Sequence, residues 1–137
     1  MKLYQVDAFT SSLFAGNPAA IVPLESWPED ALLQNIAMEN NLSETAFLVP
    51  DDTGYTLRWF TPSVEVDLCG HATLASAHVV LTCLEPEAKE VCFESASGDL
   101  VVTRQPSGYE MALPNRAPEP AILPVEIEDS LSLPPTE

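Results

Sequence analysis

The sequence predicts an α+β domain in which a mixed β-sheet wraps a central apolar helix. The segment His71 to Leu84 is apolar nearly all round and rich in small residues, namely Ala72, Ala75, Ser76 and Ala77. Such a helix belongs at the centre of a domain, with sheet packed closely about it. Roughly seven short segments show strand-like alternation or apolar runs bounded by turn residues. One further segment, ending near Asn40, carries an amphipathic helical stripe. Many strands around two helices of this kind make a mixed α+β architecture, and 137 residues fit one domain.

The elements follow in order. Lys2 to Phe9 reads as the first strand, with Tyr4, Val6 and Ala8 alternating against polar neighbours. Ser11 to Pro18 is a turn-rich loop holding Phe14, Gly16 and Asn17, and Ala19 to Val22 is a short apolar strand. Ser26-Trp27-Pro28-Glu29 has the form of a helix start, with Ser26 as N-cap, Glu29 closing a capping box and Pro28 in the first turn. Leu32, Leu33, Ile36 and Ala37 form the apolar stripe of that helix. Thr45 to Val49 is a strand, and Asp51-Asp52-Thr53-Gly54 turns the chain into Tyr55 to Phe60, where Tyr55, Leu57 and Trp59 share a face. After the central helix come strands at Glu90 to Glu94, Leu100 to Arg104 and Tyr109 to Leu113, joined by hairpin-like Ser97-Gly98-Asp99 and Pro106-Ser107-Gly108. Pro114 to Pro120 reads as a linker, with a short possible helix at Ile127 to Leu133. The expected organisation is a domain over residues 1–113, then a linker and the truncated start of a second domain over 114–137. A disordered acidic tail is the alternative.

Composition narrows the function. The chain carries 21 acidic and 5 basic residues, a formal net charge of −16. Nucleic acid and anionic membrane surfaces are therefore not expected partners. An anionic substrate has to be held by local dipoles rather than by the overall field. The apolar runs are too short to span a bilayer, and the N-terminus lacks the apolar core of a signal peptide. Three cysteines without a CxxC pair argue against a disulfide framework or a zinc site and point to a reducing cytoplasm. No nucleotide-binding glycine motif, zinc-protease motif or serine-nucleophile elbow is present, so neither cofactor nor metal is expected.

Candidate chemistry concentrates in Val66-Asp67-Leu68-Cys69-Gly70-His71-Ala72-Thr73, where a strand-like stretch breaks at a glycine and a helix begins. A helix start exposes amides without intrahelical partners and the positive end of the dipole. Gly70 allows close approach of a ligand, so the site suits a substrate carboxylate. His71 can donate a hydrogen bond or shuttle a proton. The alternative is an ordinary glycine turn with a structural histidine. Cys69 is either an acid/base thiol favoured by the helix start or a small buried hydrophobe. Glu44, in Asn41-Leu42-Ser43-Glu44-Thr45-Ala46-Phe47, enters an apolar strand. Such a carboxylate suits general acid/base work, with Asn41 and Ser43 available to orient it, or else it is a solvated glutamate. His78 falls two turns beyond His71, too far to share a metal, and is expected to be structural. Cys83 and Cys92 are expected in the core. Arg58 and Asp67 could pair or touch ligand, with a solvated Arg58 expected from alternation.

These motifs together resemble the N-terminal half of the PhzF-like proteins, the phenazine-biosynthesis isomerase family. The resemblance rests on Asp7-Ala8-Phe9, on Phe14-x-Gly16-Asn17-Pro18-Ala19, on Asn41 to Phe47, on Arg58-Trp59-Phe60-Thr61-Pro62, and on the run Glu65 to Thr73. It implies the diaminopimelate epimerase-like fold, with two such domains facing each other across an active site. It also implies cofactor-independent movement of a proton within a small carboxylate substrate. Glu44 matches the general acid/base, and Gly70 and His71 match the substrate-binding helix start, with Ser43 and Cys69 beside them. Cys69 stands where related epimerases carry a catalytic cysteine, so an amino-acid epimerase or racemase reading stays open. The chain covers one domain of the two. A homodimer or a second-half domain is then the expected partner, and a non-catalytic carboxylate-binding half-domain or an inactive product is the alternative.

Overall fold

The computed structural model describes residues 1–115, 117–120, 122 and 124–130. Its elements are β1 (Tyr4–Ala8), β2 (Asn17–Pro23), α1 (Asp30–Asn40), β3 (Glu44–Pro50), β4 (Tyr55–Phe60), β5 (Glu65–Val66), α2 (Gly70–Val79), β6 (Glu90–Glu94), β7 (Leu100–Gln105), β8 (Gly108–Met111) and α3 (Val125–Ser130). One eight-stranded sheet runs β1-β2-β3-β4-β6-β7-β8, with β5 attached to β4. The β2–β3 and β4–β6 pairs are parallel. The other pairs are antiparallel.

This sheet wraps α2, as its composition requires. Ala72, Ala75, Ser76 and Ala77 are each at most 1 % exposed, and their small side chains let the strands come close. The buried hydroxyls are satisfied on the helix itself: Ser76 Oγ donates to Ala72 O at 2.8 Å and Thr73 Oγ1 to Cys69 O at 2.6 Å. The inner face supplies Ile21, Ala46, Leu48, Leu57, Trp59 and Phe93 to this main core. The outer face of β2–β4 packs against α1 in a smaller core of Val22, Leu33, Ala37, Phe47 and Phe60. There the rings of Phe47 and Phe60 meet edge to face at 5.6 Å.

Arg58 points outward, as alternation predicts, but it is clamped rather than solvated. Its guanidinium donates to both Glu65 oxygens at 2.7 Å and to Asp30 at 2.9 Å. It also lies over the rings of Trp27 and Phe60. The start of α1 is thereby tied to β4 and β5, and the partners are Asp30 and Glu65 rather than Asp67. The Arg58 guanidinium holds the Asp30 carboxyl below its usual range.

Several expectations change. Ser26 does not cap α1: the helix starts at Asp30, its N-cap is Glu29 in extended conformation, and no side chain caps it. Pro28 explains this, because the residue before a proline is pushed to extended backbone. Leu32 is exposed rather than part of the stripe. The two-residue strand β5 is an addition. The central helix is α-helical only to Val79, and Val80–Leu84 is a π turn in which Glu85 N–H reaches Val80 O at 2.7 Å. Arg104 donates to Leu81 O there. The widened turn carries the chain out of the wrap, so Cys83 is exposed. Cys92 alternates with inward Val91 and Phe93 and is half-buried. Neither is a core residue. In the tail the helix is Val125–Ser130, and the expected continuation to Leu133 lies outside the described residues.

The loop between β1 and β2 closes through Gly16, whose φ is +83° and whose added Cβ would stand 2.3 Å from Ala8 O. Gly16→Ala is expected to destabilise the domain by about 1–3 kcal/mol through left-handed strain plus a backbone collision. A urea titration with an unchanged slope and a lower midpoint would show it.

Candidate active site

Asn41 adopts a left-handed conformation (φ 50°) that ends α1, and β3 begins three residues later at Glu44. Parallel pairing sets Glu44 beside Ala19 of β2. Glu44 shares the inward register of Ala46 and Leu48, and so faces α2. From the other side, Cys69 is the extended N-cap of α2. Its carbonyl accepts from Thr73 N–H at 3.1 Å, which seats the first turn.

The two elements meet in a compact triad. His71 Nε2 stands 3.3 Å from Glu44 Oε2, and His71 Nδ1 stands 3.4 Å from Cys69 Sγ. Cys69 and His71 are buried, while the Glu44 side chain is 19 % exposed. Glu44 Oε2 and His71 Nε2 are both sealed and form no aligned hydrogen bond despite their proximity. Oε2 contributes none of that exposure.

Burial pushes the Cys69 thiol up to about 11, and the Glu44 charge adds to the rise. The amides of Ala72 and His71 pull the other way without prevailing. The activation expected from the helix start is thus outweighed by desolvation. The raised value stabilises the fold below the ordinary thiol value of 9.0. That contribution is lost as pH climbs from 9 toward 11. Iodoacetamide at neutral pH is expected to label exposed Cys83 quickly and to spare Cys69. Peptide mapping across pH 7 to 11 would read this, and rapid neutral labelling of Cys69 would contradict it.

Glu44, Cys69 and His71 each offer one metal-ligand atom, all within 4.8 Å. The imidazole turns Nε2 toward Glu44 and Nδ1 toward Cys69, and the Glu44 carboxylate also acts directly on the Cys69 thiol.

Other site expectations fare differently. Ser43 is exposed, and no hydrogen bond joins Ser43 or Asn41 to Glu44 among the described residues, so neither orients it. Gly70 opens α2, and a Cβ there would meet only Met111 Cε at an ordinary 3.7 Å. The fold does not demand glycine at that point. His78 is exposed, with Nδ1 3.0 Å from Tyr109 OH, on a groove of about 550 Å³ between β1, β8 and α2. That groove is lined by none of the three triad residues.

The family model for phenazine biosynthesis-like proteins, PhzC-PhzF, matches residues 6–135. The chain belongs to this family. It is similar to an uncharacterized isomerase of Pseudomonas aeruginosa, 50 % identical over 133 residues, covering 97 % of this chain and 51 % of the relative. The crystal structure of a PhzF-family protein from Enterococcus faecalis superposes with a TM-score of 0.79 at 50 % identity, over 94 % of this chain and 50 % of that one. A predicted epimerase of P. aeruginosa gives 0.66 at 28 % identity, over 78 % and 40 %. The fold is therefore the α+β, diaminopimelate epimerase-like one. The chain spans about half the length of the curated relatives it matches. No described helix is long and apolar enough to cross a membrane.

Proposed function

We propose that this domain is one wall of a cofactor-independent isomerase that moves a proton within a small carboxylate substrate. The observation that carries the reading is the part-exposed Glu44 carboxylate, with Oε2 against His71 at the start of α2. The substrate carboxylate binds the amides at Gly70 and His71, where the helix dipole favours negative charge. Glu44 Oε1 takes a proton from carbon and returns it to a neighbouring carbon, as general base and then general acid. With one acid/base group on this wall, both transfers occur on the same face of the substrate. Cys69, held as a buried thiol, does not favour epimerase chemistry through a thiolate.

A second wall completes the cleft, because orienting the substrate and excluding water need both sides. Relatives of twice the length favour a second-half domain in that place, and a homodimer is the other route. Native mass spectrometry separates these. The chemistry is tested by incubating the assembled protein in D2O with a panel of aromatic and amino-acid carboxylates. Deuterium uptake at carbon is the expected result. Binding without uptake would make the site a carboxylate receptor, and neither would end the proposal.

A further inference from the structure

No motif in the sequence has metal-ligand spacing, yet the fold assembles donors from two separate elements. Glu44 comes from the start of β3, and Cys69 and His71 from the start of α2. A carboxylate oxygen, a thiol sulfur and an imidazole nitrogen lie within 4.8 Å of one another. The imidazole turns one nitrogen to each neighbour, 3.3 Å from Glu44 Oε2 and 3.4 Å from Cys69 Sγ. Zinc bonds of about 2.0–2.3 Å at tetrahedral angles set donor atoms about 3.2–3.7 Å apart. Closing the set from 4.8 Å therefore asks for about 1–1.5 Å of movement. Glu44 is the part-exposed member with the longest side chain, so it supplies both the movement and the way in.

The donor types agree on a class of ion. Thiolate and imidazole select borderline-soft divalent cations such as zinc, whereas magnesium and calcium take oxygen ligands. Three protein ligands leave a fourth position open to water or substrate. Outer contacts are in place as well, because the backbone N–H groups of His71 and Ala72 donate to Cys69 Sγ. Such contacts orient a ligating group and tune its charge. On binding, the thiol proton passes to solvent, since the thiolate is the ligand. The net charge of −16 favours the approach of a cation.

We propose that Glu44, Cys69 and His71 form a site for one zinc-type divalent cation, and that an ion bound there switches the isomerase off by occupying the Glu44 carboxylate. The site stands on the donor geometry and chemistry. The inhibition rests on the reading of Glu44 as acid/base.

The probes are Zn2+ by calorimetry and Co2+ by absorption, on the chain carrying Cys83→Ser so that the exposed thiol takes no ion. The expected result is saturation at one ion per chain, a sulfur-to-cobalt charge-transfer band, and displacement of Co2+ by Zn2+ but not by Mg2+. Cys69→Ser should abolish the band. Glu44→Gln should keep it while weakening affinity by at least about 10–100-fold, the loss seen even for outer-shell partners. It decides the matter should Cys69→Ser fail to fold. Absence of saturable Co2+ binding, a band that survives Cys69→Ser, or an affinity unmoved by Glu44→Gln would each overturn the site. In the assembled enzyme, Zn2+ should suppress deuterium uptake over the same concentrations that fill the site, and full uptake with the site loaded would overturn the inhibition. If Glu44→Gln leaves deuterium uptake intact, the isomerase reading fails while the cobalt spectrum still judges the site.

Discussion

Glu44→Gln is expected to lower kcat/KM for deuterium exchange and isomerisation by about 10²–10⁴-fold in the assembled enzyme, the range for loss of a positioned general acid/base. The amide keeps the shape of the carboxylate and can sit against His71, but it cannot take a proton. Helix and strand content by circular dichroism and the melting temperature should stay close to wild type, because Glu44 lies at the very start of β3. Its partner on the neighbouring strand, Ala19, is untouched. Substrate affinity should fall much less than turnover, since the start of α2, the proposed carboxylate site, is intact. Unchanged exchange would remove Glu44 from the chemistry and leave α2 as a binding element only.

Much of this architecture was legible in the residues, for identifiable reasons. The central helix announced itself because it has no polar face to offer solvent. The bounds of β4 and β6 were readable because Tyr55, Leu57 and Trp59, and likewise Val91 and Phe93, alternate cleanly. Features set by longer-range contacts were not readable. Ser26 and Glu29 have the spacing of a capping box, but Pro28 imposes a different backbone on the residue before it. Cys83 looks apolar in sequence, and only the π turn shows that it leaves the core. The partners of Arg58 depend on where α1 docks, which brings Asp30 to it across the outer face.

The site shows the same division. Glu44, Cys69 and His71 could each be singled out by local chemistry. Their meeting depends on the parallel β2–β3 pairing and on the side of the sheet that α2 occupies, and neither is local. The behaviour of Cys69 turned on burial, which a helix-start argument does not contain. Tyr55, Leu57 and Trp59 share a face by alternation, and that face is the core one.

Phe93→Ala is expected to cost about 3–5 kcal/mol, as buried aromatic truncations do. That is a large share of the 5–15 kcal/mol typical of a whole domain. The side chain is fully buried, with its ring 6.3 Å from that of Tyr55. Its position makes the loss consequential. The β6–β8 layer is joined to the rest of the sheet by a register of two residue pairs, Tyr55 with Phe93 and Thr56 with Glu94. Side-chain packing in the main core, of Phe93 with Val91, Leu100 and Val102 of the same layer, therefore holds this layer more than backbone pairing does. Urea unfolding should show the midpoint fall, and amide exchange should show β6, β7 and β8 losing protection before β2, β3 and β4. Because Met111 of β8 approaches Gly70, the loosened layer would also uncover the start of α2. Phe93→Ala should thus weaken carboxylate binding from the far side of the domain, whereas Glu44→Gln removes the chemistry and leaves binding in place. If Phe93→Ala unfolded the domain in one step with uniform exchange, β6–β8 would be as firmly held as the rest, and the two-residue joint would not be its weak point.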